Sequence, residues 1–337
     1  MNTVVPWWLP GGHLQTIWPA LHARHASAKD TTPVSYRRER WPTPDGDFID
    51  VDWQDAPCPT PSQAPLLVLF HGLEGSSQSH YALAFARHAQ RCGLAYAVPH
   101  FRGCSGEINR APRAYHSGDF EEIGWILQRL RQHASCPLLV VGVSLGGNAV
   151  LRWAQEAGSQ AAQVASAVAS ISAPVDLAAS GHAMGHGFNR WVYTRMFLRS
   201  MKPKAMLKLA QHPGLFNAPK LLAARTLYEF DNAFTAPVHG FKNTADYWQK
   251  ASSKPHLARL LLPSLLVNAQ NDPFIPAASL PPLGAASRHV SLWQPRHGGH
   301  VGFSQGPWPG HAQALPEAVV QWLAQQSNLN LKAFPHG

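Results

Sequence analysis

Val140-Val141-Gly142-Val143-Ser144-Leu145-Gly146-Gly147 is the stretch that decides how this chain is read. The run from Pro137 to Val141 is apolar, β-rich and of strand length. Leu145 to Ala157 has helix-forming composition, with Leu145, Val150 and Trp153 able to face a core. Between them lies Gly-x-Ser-x-Gly, the pattern of a sharp strand-to-helix turn, a nucleophile elbow, that presents a serine hydroxyl. Side chains two positions either side of the serine would crowd the turn, and Gly142 and Gly146 remove them. A helix starting at Leu145 aims its free N–H groups and positive dipole end at the hydroxyl. A serine so placed can attack an acyl carbon, and the oxyanion that develops meets backbone donors.

Around the elbow the chain alternates strands and helices. Leu66 to Phe70, Leu94 to Pro99, Val164 to Ser172, Ser264 to Ala269 and His289 to Trp293 read as strands. Tyr81 to Cys92, Gly118 to His133 and Pro316 to Gln326 read as helices. Repeated βαβ units predict an α/β fold, a mostly parallel central sheet flanked by helices. Val34 to Trp41 and Phe48 to Trp53, joined by Pro42-Thr43-Pro44-Asp45-Gly46, predict an antiparallel hairpin at one edge. Ala56 to Pro65 is a Pro-rich connector. The alternation stops near Val175 and resumes at Ser264. The expected organisation is an extended N-terminal arm (1–30), a core (31–175 and 256–326), a helical cap insertion (176–255) and a poorly ordered tail (327–337). Cap aromatics such as Phe197, Tyr247 and Trp248 suit either an apolar acyl chain or a small core of the cap's own.

A serine nucleophile needs a base, and the base an orienting acid. Asp272 follows the strand ending at Ala269, at the carboxyl edge where open α/β sheets form their sites, in a loop stiffened by Pro273 and Pro276. His300, in Arg296-His297-Gly298-Gly299-His300-Val301-Gly302-Phe303, follows the last strand. Among 19 histidines it is preferred to its neighbour His297 for its flanking Gly298-Gly299 and Val301-Gly302-Phe303. Asp176 is the second candidate acid. Two N–H donors are needed for an oxyanion. Leu145 supplies one. The other is expected from Leu73, in His71-Gly72-Leu73-Glu74-Gly75-Ser76-Ser77, where Glu74 reads as a rim residue. Phe101-Arg102-Gly103-Cys104-Ser105-Gly106 could line the pocket. His71, His297 and His300 lack the carboxylate or cysteine company of a zinc site, so neither metal nor cofactor is expected.

The 337 residues are 45% apolar, enough for one large α/β domain with an insertion. Cys58, Cys92, Cys104 and Cys136 form no C-x-x-C pair and read as free thiols in a reducing compartment. The first residues carry no basic segment and are broken by Pro6 and Pro10, unlike a secretory signal. No stretch reaches the roughly 18 uninterrupted apolar residues of a membrane span. A cytoplasmic protein is expected. Of the net +9, the segment 176–255 holds +7, from eleven Lys or Arg against four Asp or Glu. That excess suits an anionic lipid surface or an acidic substrate, and equally an ordinary solvated helix face. No nucleic-acid reading motif accompanies it.

Four segments make the chain resemble the YheT-like branch of the α/β-hydrolases. They are Pro10-Gly11-Gly12-His13-Leu14-Gln15-Thr16, the His71–Ser77 loop, Gly142-Val143-Ser144-Leu145-Gly146-Gly147-Asn148 and Gly298-Gly299-His300-Val301-Gly302-Phe303. The resemblance implies a Ser144–Asp272–His300 triad and hydrolysis of a small-molecule carboxylic ester. Some relatives act on short-chain esters, monoacylglycerols or phospholipids, but the cap matches too little for a substrate to be carried over. Two other expectations stand beside esterase chemistry. An amidase or peptidase would use the same triad but needs an acidic or hydrogen-bonding subsite for an amine, and the sequence shows no clear one. A non-catalytic binding module would be expected to lack a triad member.

Overall fold

A computed structural model describes residues 5–22, 34–56, 64–135, 137–282, 284 and 286–329. Cys58, Cys136, most of the Pro-rich connector and the tail from residue 330 lie outside the described residues, as do both ends of the arm, 1–4 and 23–33.

Eight strands form one sheet in the order β1-β2-β4-β3-β5-β6-β7-β8. They are β1 (Arg37–Pro42), β2 (Phe48–Gln54), β3 (Leu66–Phe70), β4 (Ala95–Pro99), β5 (Leu138–Val143), β6 (Ala165–Ile171), β7 (Ser264–Val267) and β8 (Val290–Trp293). From β4 to β8 every pairing is parallel. β1 and β2 form the antiparallel hairpin at the edge, with β2 antiparallel to β4.

Period-two alternation divides each apolar strand between two cores. Leu66, Val68 and Phe70 face one cluster, which α3 (Phe120–Gln132) closes with Ile123, Ile126 and Leu130 and α4 (Leu145–Ala157) with Val150 and Trp153. Leu67 and Leu69 face the other, closed by Phe85 and Ala89 of α2 (His80–Arg91) and by Val319 and Leu323 of the helix Ala314–Gln326. Burial on both faces is why these strands read as continuous apolar runs.

The arm departs from expectation. Residues Gly11–His22 form a helix, α1, rather than extended chain, although Pro19 lies inside it. Its polar Gln15 and Thr16 are buried, so tertiary contacts rather than propensity hold it.

Between β6 and β7 the chain forms helices and no strand; the longest are Leu177–Met184, Arg195–Gln211 and Thr244–Ala251. Leu198, Leu221, Phe230 and Phe234 make a small cluster of their own, and Leu177, Tyr247, Trp248 and Ala251 another. Cys92 and Cys104 are free thiols. Among the described residues no helix is long and apolar enough to cross a membrane.

Candidate active site

Ser144 sits at the end of β5 with φ 54° and ψ −119°, a left-handed conformation that a residue with a Cβ adopts only under constraint. Its N–H donates to Ile171 O at 2.7 Å. The following helix packs too closely for side chains: a Cβ on Gly146 would lie 2.5 Å from Phe70 O and His71 O, and one on Gly142 2.5 Å from Gly146 O.

The structure brings the three predicted residues together. His300 Nε2 lies 3.0 Å from Ser144 Oγ. His300 Nδ1 lies 2.8 Å from Asp272 Oδ2, while Asp272 Oδ1 accepts the Phe274 N–H at 2.8 Å. An ionised carboxylate only accepts, so Nδ1 carries the proton and Nε2 turns a lone pair to the serine. The Phe274 ring stacks on His300 with centroids 4.1 Å apart, fixing the imidazole plane. His297 is exposed, and among the described residues its ring reaches only Asn271. Asp176 caps the helix Leu177–Met184 through the Ala179 N–H and sits 3.5 Å from Lys254.

The loop that carries His300 is held from the other end of the chain. Thr16 Oγ1 accepts the His300 N–H at 2.9 Å and donates to Gly12 O at 2.7 Å. Gln15 Oε1 accepts both the Gly298 N–H and Asn271 Nδ2 at 2.9 Å. Asn271 Oδ1 accepts the Gly299 N–H, and Ser172 Oγ the Val301 N–H, each at 3.1 Å. A Cβ on Gly302 would come within 1.8 Å of Gln15 O, so only glycine lets arm and loop touch. Gln15, Thr16, Asn271 and Ser172 had no chemical role in the sequence reading. Polar residues such as Gln15 and Thr16 are ordinary in an exposed arm, so nothing in their type signalled that they would be buried.

The loop after β3 leaves one donor free. The Gly72 N–H is taken by Tyr81 Oη at 2.9 Å and the Glu74 N–H by Tyr115 Oη at 3.1 Å. Among the described residues the Leu73 N–H donates to nothing, and neither does the Leu145 N–H. Gly72 C=O belongs to the same trans peptide as Leu73 N–H and points the opposite way. It accepts from the Gly75 N–H at 3.0 Å and from His71 Nδ1 at 2.8 Å. The Phe101 N–H donates to His71 Nε2, so the proton sits on Nδ1. Burial pushes the His71 pKa down to about 3, with the nearby His100 adding to the shift, so the ring is a neutral, dependable donor. Behind it Asp52 receives Ser77 Oγ, His100 Nε2 and a two-pronged Arg38. Burial alone would raise the Asp52 pKa, but these donors hold it well below the carboxylate range.

Ser144 and His300 open into a cleft of about 730 Å³, together with Leu73 and Leu145. Leu177, Met184, Phe197, Leu227, Trp248 and Ile275 make its walls largely apolar. A second cavity of about 650 Å³ shares Leu73, Leu145, Met201, Asp231 and Tyr247 with it. There Glu74 pairs with Lys204 at 2.8 Å, at the rim, while Arg102 lies buried among Asp45, Asp47 and Glu122. Cys104 is buried and its thiol pushed up to about 12, so it carries no nucleophilic chemistry. One wall residue had no place in the sequence reading: Asp231 puts a carboxylate in the wall of both cavities.

Comparison with known proteins agrees on the fold. Residues 65–307 match the family model described as the alpha/beta hydrolase fold. YheT of Escherichia coli (strain K12), provisionally assigned to the esterases, is 38% identical over 92% of this chain and 89% of its own. Human phospholipase ABHD3 is 28% identical over 86% of this chain and 72% of its own. Among solved structures, Est1E from Butyrivibrio proteoclasticus covers 87% of this chain and 99% of its own with a TM-score of 0.55 and 15% identity, a likeness of fold alone.

Proposed function

This chain belongs to the alpha/beta hydrolase fold family, and from that premise we propose that it hydrolyses carboxylic esters through Ser144, His300 and Asp272. Its relatives include esterases and phospholipases, which supports ester hydrolysis. The observation that carries the finer reading is the unbroken line from Asp272 Oδ2 through His300, 2.8 Å and then 3.0 Å, to Ser144 Oγ.

In this mechanism His300 Nε2 takes the Ser144 proton as Oγ attacks the ester carbonyl. Asp272 fixes the protonated Nδ1 and stabilises the imidazolium. Charge on the carbonyl oxygen falls to the N–H groups of Leu73 and Leu145, which no protein acceptor among the described residues holds and which need no rearrangement to meet it. Nε2–H passes its proton to the leaving alkoxide. Water, deprotonated by the same nitrogen, then cleaves the acyl-enzyme and restores Ser144. The steps need no cofactor.

The helices of 176–255 serve as the cap of this site, since Met184, Phe197 and Trp248 wall the cleft. Its outer face is the lipid-contact candidate. Arg190, Arg195, Arg199, Lys202 and Arg225 line a surface groove with Trp191, and Trp191 and Met196 are largely exposed. Sedimentation with phosphatidylserine vesicles but not neutral ones, reversed by about 0.5 M salt, is expected of such a face; equal binding to both would remove it. The free Cys92 and Cys104 support a cytoplasmic place of work.

The deciding experiment labels wild type and Ser144→Ala with a fluorophosphonate, then runs p-nitrophenyl esters from acetate to palmitate. Loss of label and of at least ~10⁴-fold in kcat in the variant is expected. A folded wild type that takes no label would instead favour the non-catalytic binding module.

A further inference from the structure

Asp231 is a carboxylate in the wall shared by both cavities, and its hydrogen-bond partners are neutral. It opens a π-helical turn, Asp231–Thr235, a distortion of the helix common at functional sites. Its Oδ1 accepts Thr235 Oγ1 at 2.6 Å and its Oδ2 accepts Trp248 Nε1 at 2.8 Å. A carboxylate has about four acceptor positions, so two remain open. Among the described residues no Lys, Arg or His stands within ion-pair distance of it. The cations of the adjoining cavity are engaged elsewhere: Lys204 with Glu74, Arg113 with Asp119, Arg102 with three carboxylates, and Lys208 with the carbonyls of Asn109 and Ala111. Asp231 lines both cavities, so a bound molecule can reach it.

We propose that Asp231, with the rings of Trp248 and Tyr247 beside it, is a subsite for an ammonium group, so that the ester cleaved at Ser144 carries a positively charged nitrogen. This rests on the ester-hydrolase reading and names its substrate class. The chemistry is direct. A negative charge with neutral donors alone is under-compensated, and a cation entering the cavity completes it in a medium of low dielectric. Trp248 and Tyr247, which line the same cleft, give the alkyl groups of a substituted nitrogen apolar surface to pack against. Burial raises the Asp231 pKa to about 6, which leaves the group ionised at pH 7.5 and ready to pair. A purely structural strut between Thr235 and Trp248 needs no charge: an amide oxygen would accept from Trp248 Nε1, and the Thr235 hydroxyl, turned round, would accept from the amide nitrogen.

Two matched ester pairs test it, one with the charge on the alcohol and one with it on the acyl chain. They are choline butyrate against 3,3-dimethylbutyl butyrate, and p-nitrophenyl 6-(trimethylammonio)hexanoate against p-nitrophenyl 7,7-dimethyloctanoate. Wild type is expected to favour the cationic member of at least one pair by about tenfold or more in kcat/KM. Asp231→Asn should bring that ratio to near unity. The reading is a ratio within one enzyme, so general loss of activity cancels. Tetramethylammonium should also inhibit wild-type hydrolysis of the neutral esters competitively, where tert-butanol at equal concentration does not; this needs no variant. Equal or better turnover of both neutral esters, or a ratio untouched in the variant, overturns the subsite while the neutral turnover keeps the hydrolase reading intact. A wild type that neither turns over any of the four nor takes the fluorophosphonate brings down both.

Discussion

The loops at the carboxyl edge of the sheet and the helices that cover them are built by opposite means. At the edge, Ser144, Leu73 and His300 sit on short loops whose backbone is pinned atom by atom: to Ile171 O, to His71 and Gly75 through the Gly72 carbonyl, and to Thr16. Positive φ at Ser144, Glu74, Ser172, Val301 and Phe303 concentrates there as well. Over the edge, the cleft wall is made of Met184, Phe197, Leu227 and Trp248, held by packing and interrupted by two π-helical stretches, Arg190–Thr194 and Asp231–Thr235. Positions that move electrons must be right to tenths of an ångström. Positions that only admit a substrate need shape and polarity. The first region should therefore fail abruptly when altered, and the second should shift its preference gradually.

Asp272→Asn is the sharpest attempt to break that contrast. The amide offers a donor to His300 Nδ1 and favours the wrong tautomer, so kcat should fall by about 10³–10⁴ with KM nearly constant. A loss under tenfold would mean that the edge tolerates disorder as the cap does. Asp231→Asn probes the cap in the opposite direction, through stability. The folded protein holds this carboxyl's proton up to a pKa of about 6, against 3.8 for the group unperturbed, because burial disfavours the charge. The folded state thus binds more protons across that window, and stability is lost as pH rises through it. At pH 7.5 the substitution should stabilise the fold by on the order of 2 kcal/mol, a melting point higher by a few degrees, with no gain at pH 3.5. A lower melting point at both pH values would make Asp231 a structural strut. Thr16→Val strips the partner from the His300 N–H. A kcat reduced about tenfold, with binding of a fluorophosphonate-sized ester unchanged, would show that the arm belongs to the rigid region. Leu227→Ala is expected to be the mildest: a p-nitrophenyl ester optimum moved to longer chains, with the best kcat/KM within about threefold of wild type.

The same divide governs what could be read beforehand. The sheet was legible because strands buried on both faces are short apolar runs between Gly and Pro, and Leu66 to Phe70 was placed to the residue. The elbow and the His300 loop were legible because their chemistry lies within seven or eight consecutive residues. α1 was not, since Gly11, Gly12 and Pro19 look like helix breakers, and what holds it, Gly298 and His300, lies at the far end of the chain. Asp231 was invisible for a related reason. Nothing around Phe230-Asp231-Asn232 signals a cavity, and its place in the cleft that Ser144 lines exists only once the helices pack.

That long-range clamp also sets a clock. Gln15 and Gly298 are 283 residues apart in sequence, and at roughly 5–20 residues per second a ribosome takes on the order of 15–60 s to make what lies between them. In the second half of that interval the nascent chain already contains Ser144 but has neither base nor clamp. Under the proposed mechanism a half-made copy is therefore inert toward esters, and activity arrives in one step, when the last loop meets the first helix.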